Sequence, residues 1–234
     1  MNPYGIAFHH ATQHGVLTSV HIPDSPEPVP DDILNRLPRE EAQVARSLRG
    51  YRQVQFVGGR IALRRACEQL GVRPPPLLQD DRGAPVVPKG LVGSISHKKT
   101  LALAMVANAR DGTLGVDLEA YGPERLSIAG HVLTEGEQRA IEQMPDDRRW
   151  ISLLIRFSIK ESIYKAVDPF VRRYVGFQEA IVTPDLHGRA AVQLQLEGGE
   201  GPFEVDARYE WLHGRLLTSV RIRARPPPGS GSQS

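Results

Sequence analysis

Two stretches with helical spacing, one in each half of the chain, stand beside runs of short apolar segments. The first runs from about Tyr51 to Leu70 and closes on Gly71, suited to the position past a helix end, and on Pro74–Pro76. The second starts at Asp146 or Asp147 and runs to about Val167, where Asp168-Pro169 is expected to stop it. Between them LVGSIS (91–96), LALAMVA (101–107) and TLGVDLE (113–119) are short, apolar or alternating, and read as adjacent strands. Four more strands are read at FQEAIVT (177–183), AAVQLQL (190–196), FEVDARYEWL (203–212) and RLLTSVRIRA (215–224), with His213-Gly214 as a tight turn between the last two. After the Pro-rich connection 21–32, Asp31 or Asp32 caps a helix through about Leu48, and Thr134-x-x-Glu137 is a capping-box pattern. A long helix plus several strands in each half predicts an α+β fold.

A chain of 234 residues fits one moderate domain or two small fused ones. Its single cysteine, Cys67, excludes a disulfide framework and a multi-cysteine zinc site; it fits a reducing, cytoplasmic compartment. No apolar run approaches the roughly 18 residues of a membrane span. The start, MNPYGIAFHH, lacks the basic and apolar regions of a secretory signal. The formal charge of +2 argues against a general nucleic-acid binder. That charge is uneven. Residues 46–110 hold 12 Lys or Arg against 3 acids, while the rest holds 17 against 24. Such asymmetry suits an anionic ligand on one side and a cation on the other, or a solvated surface.

Four constellations carry chemistry. In GVDLE (115–119), strand spacing turns Asp117 and Glu119 to one face and Leu118 to the other. Two adjacent carboxylates suit a hard divalent cation, or are two acids on an exposed strand. In FSIKESIYKAV (157–167), Glu161 falls on the stripe of Trp150, Leu153, Leu154, Phe157 and Tyr164, with Lys165 four residues on. A charge there calls for a partner or a metal, although a surface Glu–Lys pair has the same spacing. Arg52, Arg60 and Arg64 border the packed face of the 51–70 helix, where guanidinium suits phosphate or acids elsewhere in the chain. Gly58-Gly59 in mid-helix points to close approach of something to the backbone. Finally, SISHKK (94–99) sets Ser96 and His97 at a strand end, with groups able to hold phosphate oxygens.

Taken in order, FVGGRIALRRA, DRGAPVVPKGLVGSISH, GVDLE, FSIKESIYKAV and YVGFQEA resemble the 4′-phosphopantetheinyl transferases, of the type of enterobactin-synthetase component D and the Sfp-like enzymes. The resemblance runs from about Arg49 to Ala180. It implies transfer of phosphopantetheine from coenzyme A to a serine of an apo acyl carrier protein or peptidyl or aryl carrier domain, releasing adenosine 3′,5′-bisphosphate. It implies Mg²⁺, with Mn²⁺ as a substitute, held by Asp117, Glu119 and Glu161, with Leu118 at the variable middle position. Glu161 is then the candidate base and Lys165 the group near the pyrophosphate. Arg52, Arg60, Ser96 and His97 match coenzyme A phosphate contacts, and Arg64 is a weaker match. Gln79, Arg82 and Gly83 match the adenine and 3′-phosphate loop, and Val175, with Phe177, the pantetheine or carrier side. Val87 replaces a common Trp, and Gln79 a lysine, of the family pattern.

The resemblance also implies a monomer of two similar α+β halves in pseudo-two-fold arrangement, each a long helix on a small mainly antiparallel sheet. The expected division is 1–112 for coenzyme A phosphate binding, 113–224 for the metal-site helix and carrier docking, and 225–234 as a disordered tail. Docking is placed at residues 120–145 and Arg172-Arg173. Such enzymes serve siderophore, nonribosomal peptide or polyketide synthesis. Two alternatives are a non-catalytic coenzyme A or nucleotide binder and another Mg²⁺-dependent phosphotransferase or hydrolase.

Overall fold

The computed structural model describes residues 2–225, so the expected tail lies outside the described residues from 226 on. The chain forms two compact units, Met1–Arg110 and a second that starts at Asp111. Each is an antiparallel sheet with a long helix laid on it, an α+β architecture.

The first unit holds β1 (Ile6–Ala11), β2 (Val16–His21), α1 (Asp31–Leu34), α2 (Arg39–Ser47), α3 (Tyr51–Gln69), β3 (Leu91–Lys98) and β4 (Leu101–Asn108), with sheet order β1-β2-β4-β3. The β1–β2 hairpin has no counterpart in the sequence reading; Thr12 folds its turn by accepting from the amides of His14 and Gly15. The single helix expected from Asp31 to Leu48 is two. Pro38 stands at the N-cap of α2, and Pro30 rather than an aspartate occupies that position before α1. Helix α3 ends in a Schellman motif: the Val72 amide reaches the Cys67 carbonyl, the Gly71 amide reaches Glu68, and Gly71 has φ +74°. What approaches Gly58-Gly59 is the unit's own sheet. A Cβ on Gly58 would lie 2.3 Å from Ile22 Cγ2, and one on Gly59 3.1 Å from Ile95 Cγ2. Ala62, Leu63, Ala66 and Cys67 then bury against Val20, Ala104 and Val106.

The second unit holds β5 (Thr113–Ala120), α4 (Ala129–Val132), α5 (Glu135–Glu142), α6 (Asp146–Val171), β6 (Ala180–Pro184), β7 (Arg189–Leu194), β8 (Phe203–Leu212) and β9 (Arg215–Ala224), with sheet order β5-β9-β8-β7-β6. Residues 113–119 are therefore not a neighbour of 101–107 in one sheet; β5 pairs with β9, a hundred residues on. The turn at His213-Gly214 has positive φ at both residues (50° and 71°), the two-residue geometry whose twist matches a hairpin. Helix α6 passes through Pro169 for one more turn and ends with Arg172 in the left-handed region. Losing one amide is tolerated there because Phe170 anchors the added turn on the Phe203 ring, centroids 5.0 Å apart. Trp150, Leu153, Leu154, Ile159, Ile163 and Ala166 pack on Leu216, Val220 and Ile222.

A buried ion pair locks this unit. The capping box at Thr134–Glu137 is present, and the same Glu137 carboxylate accepts from Lys160 Nζ at 2.6 Å and from the Val182 amide at 2.8 Å. One side chain thus joins α5, α6 and β6.

Candidate active site

In the second unit the site is built where α6 crosses β5. Antiparallel register sets Gly115 opposite Val220, Asp117 opposite Thr218 and Glu119 opposite Leu216. Val220 and Leu216 belong to the core under α6, so this is the helix-facing side of the sheet. Gly115 makes the crossing possible: a Cβ there would lie 1.9 Å from the Ser162 carbonyl oxygen. Ser158, Glu161, Ser162 and Lys165 occupy one stripe of α6, within roughly 100° at 100° per residue.

Asp117 and Glu119 are 6% and 5% exposed. Two carboxylates this deep must be stabilised. Asp117 is met twice by α6: Ser158 Oγ donates to Oδ2 at 2.8 Å, and Lys165 Nζ donates to Oδ1 at 3.1 Å. Lys165 Nζ also donates to the Val116 carbonyl at 2.8 Å. The buried polar stripe is centred on Ser158 and Ser162, with Glu161 half-buried at its border beside Phe157 and Tyr164. The Leu118 side chain is buried on the opposite face, so only its backbone belongs to this site.

The donors are all oxygen, from buried or half-buried carboxylates on facing elements, which is the chemistry a hard divalent cation takes. In donor type, that set fits such an ion. Among the described residues no three His, Cys, Asp or Glu side chains are gathered close enough to ligate one ion. The Lys165 ammonium is set against Asp117 at 3.1 Å.

In the first unit, Arg60 is 2% exposed. Its Nη2 donates to the Leu78 carbonyl at 3.3 Å, its guanidinium lies 4.5 Å from the Phe56 ring centroid, and its Nε has no partner among the described residues. Burial pushes its pKa down to about 10, against the opposing pull of Glu41. A buried cation so sparsely satisfied calls for a further acceptor. Arg52 is exposed on the first turn of α3. Ile95 meets α3 at Gly59, so His97, two residues on, shares the helix-facing side of β3 and is exposed, whereas Ser96 is buried on the other side.

Several expected residues have partners within their own unit. Arg64 ion-pairs with the fully buried Glu41 and donates to the carbonyls of Pro74 and Pro75, clasping the proline segment to α3. Gln79 donates to the Gly83 carbonyl at 3.1 Å and bridges Pro85. The turn needs Gly83 at φ +85°, and Asp80 braces it by accepting from the amides of Arg82 and Ala84. The Val175 side chain is packed in the core of the second unit; the Phe177 ring lies tilted against Phe157 at 5.6 Å and edge-to-face with His131 at 5.5 Å. Arg173, expected at a docking surface, is held by Glu179 and Glu200. Sequence reasoning missed Ser158, Ser162 and Thr218. For Ser158 and Ser162 the signal was a pair of small hydroxyls four apart, on one face of the helix.

Among the described residues no helix is long and apolar enough to cross a membrane. Residues 39–107 match the model of the 4′-phosphopantetheinyl transferase N-terminal domain, and residues 113–218 that of the 4′-phosphopantetheinyl transferase superfamily. The 4′-phosphopantetheinyl transferase Svp of Streptomyces mobaraensis is 33% identical over 223 residues, 88% of this chain and 85% of the relative. The 4′-phosphopantetheinyl transferase PptT of Mycobacterium tuberculosis is 31% identical, over 80% of this chain and 86% of its own. Enterobactin synthase component D of Salmonella typhimurium is 34% identical, over 78% and 77%. With both its arginine-bearing and its acid-bearing unit matched in order, the chain belongs to the 4′-phosphopantetheinyl transferases.

Proposed function

We propose that coenzyme A is the donor, that an apo acyl carrier protein or a peptidyl or aryl carrier domain is the acceptor, and that Asp117, Glu119 and Glu161 are the acids that serve the reaction. The observation that carries this reading is the buried Asp117 held by Ser158 and Lys165, within the segment matched to the family. The carrier serine oxygen attacks the phosphorus attached to the pantetheine arm. A new P–O bond forms, the pyrophosphate P–O bond breaks, and adenosine 3′,5′-bisphosphate leaves with the electron pair. Glu161, half-buried and ionisable, takes the serine proton; Lys165 offsets charge on the leaving phosphate.

Asp117, Glu119 and Glu161, with the Leu118 backbone, would hold Mg²⁺, which would supply charge neutralisation on the pyrophosphate. Arg60, with Arg52 and His97, binds coenzyme A phosphates; Arg60 suits this role through its burial and its unsatisfied Nε. Arg64 is left out of that set because its terminal nitrogens already have protein acceptors. Val175 contributes no side chain to it.

Incubation of the protein with coenzyme A, Mg²⁺ and an apo carrier, followed by mass spectrometry of the carrier, tests the proposal. One phosphopantetheine is gained, and a chelator abolishes the gain. Coenzyme A binding with no mass change on several carriers means a binder rather than a transferase.

A further inference from the structure

The carboxylate of Asp117 is the end of a chain of buried hydroxyls. Ser158 Oγ lies 2.8 Å from Asp117 Oδ2 and 3.0 Å from Thr218 Oγ1, and Thr218 Oγ1 lies 2.8 Å from Ser162 Oγ. Ser158, Ser162 and Thr218 are all fully buried. We propose that Ser162, Thr218 and Ser158 form a directional hydroxyl relay that fixes the orientation of the Asp117 carboxylate, making Ser158 and Thr218 positioning residues of the site. This rests on the transferase reading for the use to which Asp117 is put.

Counting protons fixes the direction at the Asp117 end. A carboxylate only accepts, so the one Ser158 proton goes to Asp117. Thr218 then has its own proton for Ser158, whose carbonyl is also within reach at 2.9 Å. Ser162 directs its proton to Thr218, at the hydroxyl or at the carbonyl 3.3 Å away. With those protons on the hydroxyls, each donor is polarised toward the same anion, which strengthens the chain in a low-dielectric interior. Lys165 fixes the other oxygen, Oδ1, from the same helix seven residues on. With Asp117 gripped at both oxygens, its side chain has no freedom to turn about χ2.

Packing alone does not call for this arrangement. The neighbours on α6 are Ile159, Ile163 and Ala166, and small apolar residues of the same shape fill such positions without desolvating a hydroxyl. What apolar residues cannot do is orient a carboxylate. Groups that orient a metal-binding carboxylate change metal affinity by about 10–100-fold when removed.

The test separates hydroxyl from volume at Thr218, in the full chain. Mn²⁺ binding is followed by calorimetry, with and without coenzyme A, alongside thermal melting. Thr218→Val keeps the shape and loses the relay; Thr218→Ser keeps the relay and loses a methyl group. The proposal expects Thr218→Val to weaken Mn²⁺ binding about 10-fold and to melt lower, since Ser158 and Ser162 lose a buried partner. It expects Thr218→Ser to bind as wild type while melting lower, and Ser158→Ala to match Thr218→Val. Wild-type affinity in Thr218→Val, or equal weakening in Thr218→Ser, overturns it. So does a wild-type protein that binds no Mn²⁺ under either condition. Failure of the transferase reading looks different: Mn²⁺ binds, the variants rank as expected, and no carrier gains mass.

Discussion

At Gly115 a side chain as small as methyl would be driven into the Ser162 carbonyl, 1.9 Å from where its Cβ must sit. Every contact of the site depends on that close approach, since Ser158 and Lys165 reach Asp117 from the helix Gly115 admits. Gly115→Ala forces β5 and α6 apart, and we expect a loss of about 3 kcal/mol or more in urea unfolding, with transfer activity falling too. A stable, active Gly115→Ala protein would show that the crossing is looser than described. Single residues were also where sequence was least informative. That Asp117 and Glu119 share a face follows from strand periodicity and is legible. That Arg64 serves Glu41 is not, because its partner comes from a helix whose placement no local pattern encodes. Cys67 is fully buried in the core, and burial pushes its thiol to about 11, so it is poorly nucleophilic at neutral pH.

Elements were legible where local rules suffice. Helix α3 announces its end through Gly71, and the β8–β9 hairpin through His213-Gly214. Pairing was not legible: β5 reads like β4's neighbour until β9 is found to be its partner, a long-range choice made by packing under α6. Two element-level contacts carry predictions. Lys160 and Glu137 are a buried pair at 2.6 Å, and Lys160→Met strands Glu137 as an uncompensated charge. That costs about 3–5 kcal/mol, read as a shift in the denaturant midpoint, and adding Glu137→Gln recovers part of it. After α6, Arg173 donates to Glu179 and holds its carboxyl at about 2, below the usual 4.5. Because the folded value is the lower one, the stabilisation is complete above 4.5 and is lost as pH falls through about 2. Wild type should therefore lose stability across that window. Arg173→Leu should be less stable at pH 7 and flatter in acid, and an equally steep acid profile would contradict the pairing.

For the whole molecule, the uneven charge now has a partial account. Some of the basic residues in 46–110 are spent on structure: Arg46 on Asp31, Arg64 on Glu41, Arg65 on Glu68. Arg60 is buried beyond what the described residues repay. The acids that matter lie in the second unit, and matching family segments cover both. The central claim is that Asp117 serves phosphopantetheine transfer. The most direct measurement compares wild type and Asp117→Asn for mass gained by an apo carrier with coenzyme A and Mg²⁺. The account predicts complete modification by wild type and a rate lower by about 100-fold or more in a folded Asp117→Asn. Equal rates for the two proteins would contradict it.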